Sequence, residues 1–284
     1  MPPTKPPTLR QQRLGSELRK LRERAGLTTI QAAALLGVNQ SRISNIEAGR
    51  YAVGPDRVHA IARNYSCADT ALIGALVDMT GGRTRGWWEE YREQLPTGML
   101  DLAELEHHAT AIRVAQALHI PGLLQTSRHA RALFGDAVPP RLPHEIEHLL
   151  SYRIKRQSVL HRHAPLPYTA LIHEAALHMR VGGPAVAAEQ LNHLVEMSEH
   201  DNVTILVIPF GKGAFPGSGQ GIDYAHGRVV QLDAVQLDTE HGSEFIDAAA
   251  QLERYATVLD RLERLALTAT ESRDLIRRTA AAQT

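Results

Sequence analysis

Between residues 27 and 49 the chain reads LTTIQAAALLGVNQSRISNIEAG, and this stretch allows only short helices. Thr28 followed three residues later by Gln31 has the form of a capping box, in which each side chain satisfies the other's free backbone N–H. Ile30, Ala33 and Ala34 then make an apolar stripe before Gly37 stops the helix. Asn39 is placed to cap a further helix, QSRISNIEAG, with Ile43 and Ile46 facing inward and Gly49 closing it. The start and stop signals leave about eight residues for each helix. The alanines of the first let the second cross it closely, and two short helices joined by a glycine-containing turn form a helix-turn-helix.

The flanking sequence completes a bundle. LRQQRLGSELRKLRERAG spaces Leu14, Leu18 and Leu21 at i, i+4 and i+7, which predicts an amphipathic helix ending at Gly26. PDRVHAIARN, residues 55–64, opens with a proline suited to a first helical turn and puts Val58 and Ile61 on one face. Residues 69–79, DTALIGALVDM, predict a further apolar helix. The expectation is an all-α N-terminal bundle of five helices.

If Val38, Ile43 and Ile46 anchor the third helix, then Gln40, Ser41, Arg42, Ser44 and Asn45 occupy its outer and N-terminal faces. Gln and Asn offer the paired donor and acceptor that match the N6/N7 edge of adenine. Arg matches O6/N7 of guanine or a phosphate, and Ser matches base edges or backbone. Charge points the same way. The formal net charge is +0, yet residues 1–65 carry eleven Lys and Arg against four Asp and Glu, leaving an acidic excess of seven on the remainder. A basic module for a polyanion joined to an acidic body is the natural reading. Double-stranded DNA is the expected partner. One recognition helix gives limited affinity, so a homodimer reading two half-sites is expected.

LGSELRKLRERAGLTTIQAAALLGVNQSRISNIEAGR resembles the phage-repressor-like, Xre-type helix-turn-helix domain along its whole length. The resemblance implies that Thr29, Gln40, Ser41 and Asn45 face bases and that the loop around Gly49 and Arg50 touches phosphate. Thr29 and Ile30 stand where that family usually places a Gln or Glu after the cap of its second helix.

TGGRTRG then reads as a linker, giving expected domains of 1–79 and 87–284 with the linker at 80–86. The second domain mixes helices with short apolar strands. Helices are predicted near 102–109, ending near 134, over 144–160 and over AVAAEQLNHLVEMSE. Strands are predicted in ATAIRVAQ, YTALIHE, NVTILVIPF and VVQLDAVQLD, and two closing helices over 243–264 and after Thr268. This is a mixed α+β domain with a small sheet. GWW, IPGLLQT, EAALHMRVGGP, NVTILVIPFGKGAFPG and LTATESRDLI together resemble the C-terminal domain of actinobacterial antitoxin-like Xre transcriptional regulators. That resemblance implies a cytoplasmic DNA-binding regulator, frequently encoded beside a small partner protein, with no settled ligand or reaction. The second domain is expected to hold that partner, sense a small-molecule effector or dimerise, and no enzymatic activity is expected.

Other motifs compete with this reading. HEIEH at 144–148 matches the H-E-x-x-H pattern of zinc peptidases, with His144 and His148 as ligands and Glu145 as base, and His161, His163, His173 or Glu174 as candidate third ligands. Against it, Pro143 places His144 in the first helical turn, where partial positive charge disfavours a cation, and Glu147 is expected to occupy the inner position. A helix-turn-helix protein fused to a metallopeptidase is thus the alternative, and no metal or cofactor is expected. GSGQG at 217–221 lacks a following helix or G-K-[ST], so a turn is expected. Ser218 lacks the flanking glycines of a nucleophile elbow. A single cysteine, Cys67, allows no internal disulfide, and no apolar run reaches membrane-spanning length. A cytoplasmic address follows as the expectation.

Overall fold

The computed structural model describes residues 6–80, 86–213, 220–239 and 241–283. The expected linker and the GSGQG turn with Ser218 lie wholly or mostly outside the described residues. Contacts divide the chain into two units, one of residues 1–89 with 228–232 and one of residues 90–227 with 233–284.

The first unit holds five helices: α1 (Leu9–Arg24), α2 (Thr29–Leu35), α3 (Gln40–Glu47), α4 (Pro55–Asn64) and α5 (Thr70–Asp78). Each boundary has a local cause. Thr8 with Gln11 and Thr28 with Gln31 form capping boxes on α1 and α2, Asn39 caps α3, and Asp69 caps α5. Gly26, Gly37 and Gly49 follow α1, α2 and α3 with φ of +70°, +63° and +69°, the left-handed conformation that ends a helix. Leu14, Leu18, Leu21, Ile43, Ile46, Val58, Ile61, Leu72 and Leu76 form its core, as the periodicity predicts.

One expectation fails in α2. Ile30 is 65% exposed and Ala34 is also exposed, while Ala32 and Ala33 are the buried pair, at 0% and 5% exposure. The stripe of Ile30, Ala33 and Ala34 is therefore wrong by a rotation of the helix. The inner face admits only small side chains where α3 crosses it, so the largest apolar residue is the one turned outward.

The second unit is built on a six-stranded mixed sheet in the order β3-β2-β1-β4-β5-β6. Its strands are β1 (Ala111–Gln116), β2 (Tyr168–His173), β3 (Val203–Ile208), β4 (Ile222–His226), β5 (Ala234–Thr239) and β6 (Gly242–Ile246). β1, β2 and β3 run parallel, joined through helices, whereas β4, β5 and β6 are antiparallel neighbours. Helices α6 (Thr97–His108), α7 (Ser127–Gly135), α8 (Pro143–Gln157), α9 (Glu174–His178), α10 (Pro184–Met197), α11 (Ala249–Leu265) and α12 (Ala269–Ala281) complete it.

Alternation along the strands makes two apolar layers. Ile112, Val114, Tyr168, Ala170, Ile205 and Ala225 share a cluster with Leu191 and Leu194 of α10 and Ile276 of α12. Ala115, Leu171, Tyr224, Val235 and Leu237 share another with Leu252, Leu259 and Leu262 of α11.

The predicted helix over 243–264 is corrected at its start. Residues 242–246 form β6, paired with β5, and α11 begins only at Ala249. As an edge strand β6 is mostly solvent-facing, so it lacks the apolar alternation that would mark it. In VVQLDAVQLD only the second half is strand. Val230–Leu232 is a 3-10 turn. Among the described residues, no helix is long and apolar enough to cross a membrane.

Candidate nucleic-acid interface

The position of α3 is fixed from below by backbone contact. Gly15, in the middle of α1, lies so close to the end of α3 that a Cβ there would sit 2.5 Å from the Glu47 carbonyl oxygen and 2.6 Å from that of Ile46. At Gly49 a Cβ would come within 2.7 Å of the Gln11 carbonyl oxygen. Beside these close approaches Arg22 donates to Glu47 through Nε to Oε1 at 2.6 Å and Nη2 to Oε2 at 2.9 Å, and its Nη1 donates to the Leu27 carbonyl at 2.7 Å. Both side chains are 8% exposed. The Glu47 hydrogen bonds hold the Arg22 guanidinium above its usual value against the opposing cost of burial. One arginine thus ties α1 to the end of α3 and to the loop before α2. Arg57 of α4 adds a bond from Nη1 to the Leu36 carbonyl at 3.3 Å, just past the end of α2.

With its inner face anchored by Ile43 and Ile46, α3 exposes Gln40, Ser41, Arg42 and Ser44, and leaves Asn45 half-buried. Arg50 is exposed after the Gly49 turn, and its N–H donates to the Asn45 carbonyl at 2.9 Å. Thr29 is half-buried at the first turn of α2.

These side chains are oriented by one another. Gln40 Nε2 donates to Thr29 Oγ1 at 3.1 Å, which bridges the starts of α2 and α3. A primary amide has two N–H groups, so this bond leaves one N–H and the carbonyl oxygen for a ligand, enough for an adenine edge. Ser41 Oγ donates to Asn39 Oδ1 at 3.0 Å, the oxygen that also accepts the Arg42 N–H, and Ser44 Oγ donates to the Gln40 carbonyl at 3.3 Å. Both serine protons are directed into the helix, so both hydroxyls present lone pairs outward.

The sequence reading missed Arg22 and Glu47. A signal existed: Glu47 is an acidic residue in the last turn of a helix, where the macrodipole disfavours negative charge, so a cation had to hold it there.

HEIEH opens α8 as an ordinary helix start. The Glu145 carboxylate accepts the Leu142 N–H at 2.7 Å, and Glu147 is exposed and paired with both Nη atoms of Arg131. The expected inner placement of Glu147 is thus wrong, since Leu149 and Leu150 are the residues that α8 buries. His144 and His148 are exposed, with ring centroids 6.1 Å apart. Among the described residues no group of three or more His, Cys, Asp or Glu converges as metal ligands would.

The first unit is therefore a helix-turn-helix module whose recognition helix is buttressed within and polar without, the build of a DNA-binding regulator. Comparison with known families agrees: residues 13–76 match a family described as a helix-turn-helix domain. Residues 99–278 match the family described as a domain of unknown function (DUF5753), and the chain belongs to it. No curated protein and no solved structure matches the chain.

Proposed function

We propose that this chain is a sequence-specific transcriptional regulator of the Xre type, antitoxin-like, that reads duplex DNA with Thr29, Gln40, Ser41, Arg42, Ser44 and Asn45 and grips phosphate with Arg50. The supporting observation is the outer face of α3, where exposed polar side chains are aligned by the Gln40–Thr29 bond on a helix held rigidly from behind. The surplus of seven basic groups in residues 1–65 supplies the sequence-independent part of the affinity.

Within this reading the N-terminal residues 1–79 form the DNA module, 80–86 the linker and 87–284 a regulatory domain. That domain dimerises, so two α3 helices address half-sites about 34 Å apart. It also holds a small protein partner encoded nearby or an effector. The test is selection of bound duplexes from a random pool by the full-length protein. A single enriched, palindromic motif is the expected result. A pool left unenriched at moderate ionic strength, by protein that still binds DNA weakly, would sink sequence-specific reading while leaving the fold intact.

A further inference from the structure

Two guanidinium groups gather beside one aromatic ring where α7 meets α8. Phe134, buried near the end of α7, has the guanidinium carbon of Arg153 5.1 Å from its ring centroid and that of Arg141, in the connection to α8, 5.8 Å away. Arg153 is held from behind. Its Nη1 donates to Gln125 Oε1, and Gln125 is itself fixed by its Nε2 bond to the Ile120 carbonyl at 2.7 Å. Gly122 of the IPGLLQT stretch makes room for this guanidinium, since a Cβ there would sit 3.0 Å from Nη1. His129 of α7 is buried within reach of the charges of Arg153 and of the exposed His119.

What this cluster lacks is an acid. The other arginines of α7 and α8, Arg128, Arg131 and Arg156, are each paired with a glutamate, respectively Glu189, Glu147 and Glu106. Among the described residues no carboxylate pairs with Arg141 or Arg153. Arg156 presents its Nε and Nη2 edge to the two oxygens of Glu106, whereas the same edge of Arg153 is empty. Its Nε is buried with no hydrogen-bond partner, and Nδ1 of His129, a residue 4% exposed, is buried in the same unmet state. Buried polar groups in proteins are nearly always bonded, and an unmade bond costs free energy. The carboxylates whose charge reaches Arg153, Glu106 and Asp238, are already bonded to Arg156 and to Gln236. Burial, then Arg156, lowers the Arg153 guanidinium to about 10, which still leaves it charged at neutral pH. Two positive charges thus stand together without a counter-charge.

Arg141 is exposed and Arg153 half-buried, so the pair is reached from the surface and needs no interior cavity. We propose that this site binds a phosphate group, free or as the monoester of a small molecule. Such a group carries a charge of roughly −1.5 to −2 at neutral pH and three acceptor oxygens, which matches two guanidinium groups in charge and in donor number. Arg153 donates from its free edge, whose two N–H groups fit two oxygens of an oxyanion, and Arg141 donates from the exposed side. The site lies wholly in the second unit and goes beyond the DNA-reading function. It gives the regulatory domain an effector, and ligand binding is measurable without DNA.

The test is calorimetric titration of the full-length protein near neutral pH with inorganic phosphate, glycerol phosphate and acetate, in sodium chloride at matched ionic strength. Saturable binding is expected for at least one of the two phosphates, at least about tenfold tighter than for acetate, because only a phosphate has charge and oxygens enough to engage both guanidinium groups. Tighter binding of glycerol phosphate assigns the site to a monoester, and tighter binding of inorganic phosphate assigns it to the free ion. Arg153→Lys keeps the charge but loses the paired N–H edge, and should weaken phosphate binding about tenfold. Arg141→Gln, at an exposed position, should weaken it several-fold and keeps the test decisive if Arg153→Lys does not fold. Arg128→Gln removes a guanidinium already paired with Glu189 and should leave binding unchanged. Four outcomes would overturn the proposal: no saturable binding of either phosphate, acetate bound as tightly, Arg141→Gln without effect, or Arg128→Gln as damaging as Arg141→Gln, which would reduce the site to general surface charge. If the DNA selection finds no motif while phosphate binds as described, the phosphate site stands and the regulator reading falls.

Discussion

Arg22 and Glu47 are joined by two hydrogen bonds, 2.6 and 2.9 Å long, across the gap between α1 and the end of α3. Removing one partner leaves the other charged and enclosed. Glu47→Ala should lower unfolding stability by roughly 3 kcal/mol, read from urea denaturation, because breaking a buried pair costs more than the pair contributes. Replacing both, as Arg22→Met with Glu47→Leu, should cost much less than the sum of the single losses. Additive losses would mean that the two side chains act independently.

The Thr29 hydroxyl accepts a hydrogen bond from the Gln40 amide. Thr29→Val keeps the shape and the half-buried methyl but removes the acceptor for the Gln40 amide. Affinity for the selected operator should fall by roughly 1 kcal/mol, less than the 1–3 kcal/mol expected for Gln40→Ala or Asn45→Ala, with binding to unrelated DNA unchanged. Competition titrations measure both. An equal loss on all sequences would assign Thr29 to the phosphate backbone.

Arg50→Ala should behave in the opposite way. Loss of a phosphate contact lowers affinity for every sequence and reduces the slope of log K against log salt by about 1. A changed base preference in the selected motif would contradict that role.

His129 links stability to acid. Burial, then Arg153, lowers its ring to about 4 from the ordinary 6.5, so the folded state keeps it neutral while the unfolded chain protonates it below 6.5. Its contribution is fully present above pH 6.5 and is lost as pH falls toward 4. The stability advantage of the wild type over His129→Gln should therefore shrink between pH 7 and pH 5, by roughly 2 kcal/mol. A constant difference would mean that the ring titrates normally in the fold.

Asp223 works with the opposite sign. Burial, then the charge of Glu106, raises its folded value to about 7 from the ordinary 3.8, so the folded state retains a proton that the unfolded chain gives up. Stability is lost as pH rises from 3.8 to about 7. Asp223→Asn should raise Tm relative to wild type at pH 8 and not at pH 4. Equal shifts at both would place the carboxyl in open solvent.

Helix starts and stops in the first unit were legible because capping and glycine signals act within a few residues. Thr28 with Gln31 and Asn39 delimit α2 and α3 as read. The orientation of α2 was not legible, because the choice between Ile30 and Ala32 for the interior depends on packing against helices that lie outside its own stretch of sequence. In the second unit Thr268 and Glu271 gave away α12 in the same local way. β6 did not show itself, since its pairing with β5 leaves Gly242 and Glu244 exposed and erases the alternation. A buried polar cluster was the least visible feature. Glu106, Arg156, Tyr168 and Asp223 lie on four separate elements, and only strand register and helix packing bring them together.

Because α1 meets the end of α3 main chain to main chain at Gly15, the docking of that helix draws on its outward side chains only through the bond from Gln40 to Thr29. Those outward positions are free to vary without shifting the helix on its support. A descendant of this protein can acquire a new target by exchanging letters on that one surface, and the same scaffold can be retooled in the laboratory by the same few substitutions.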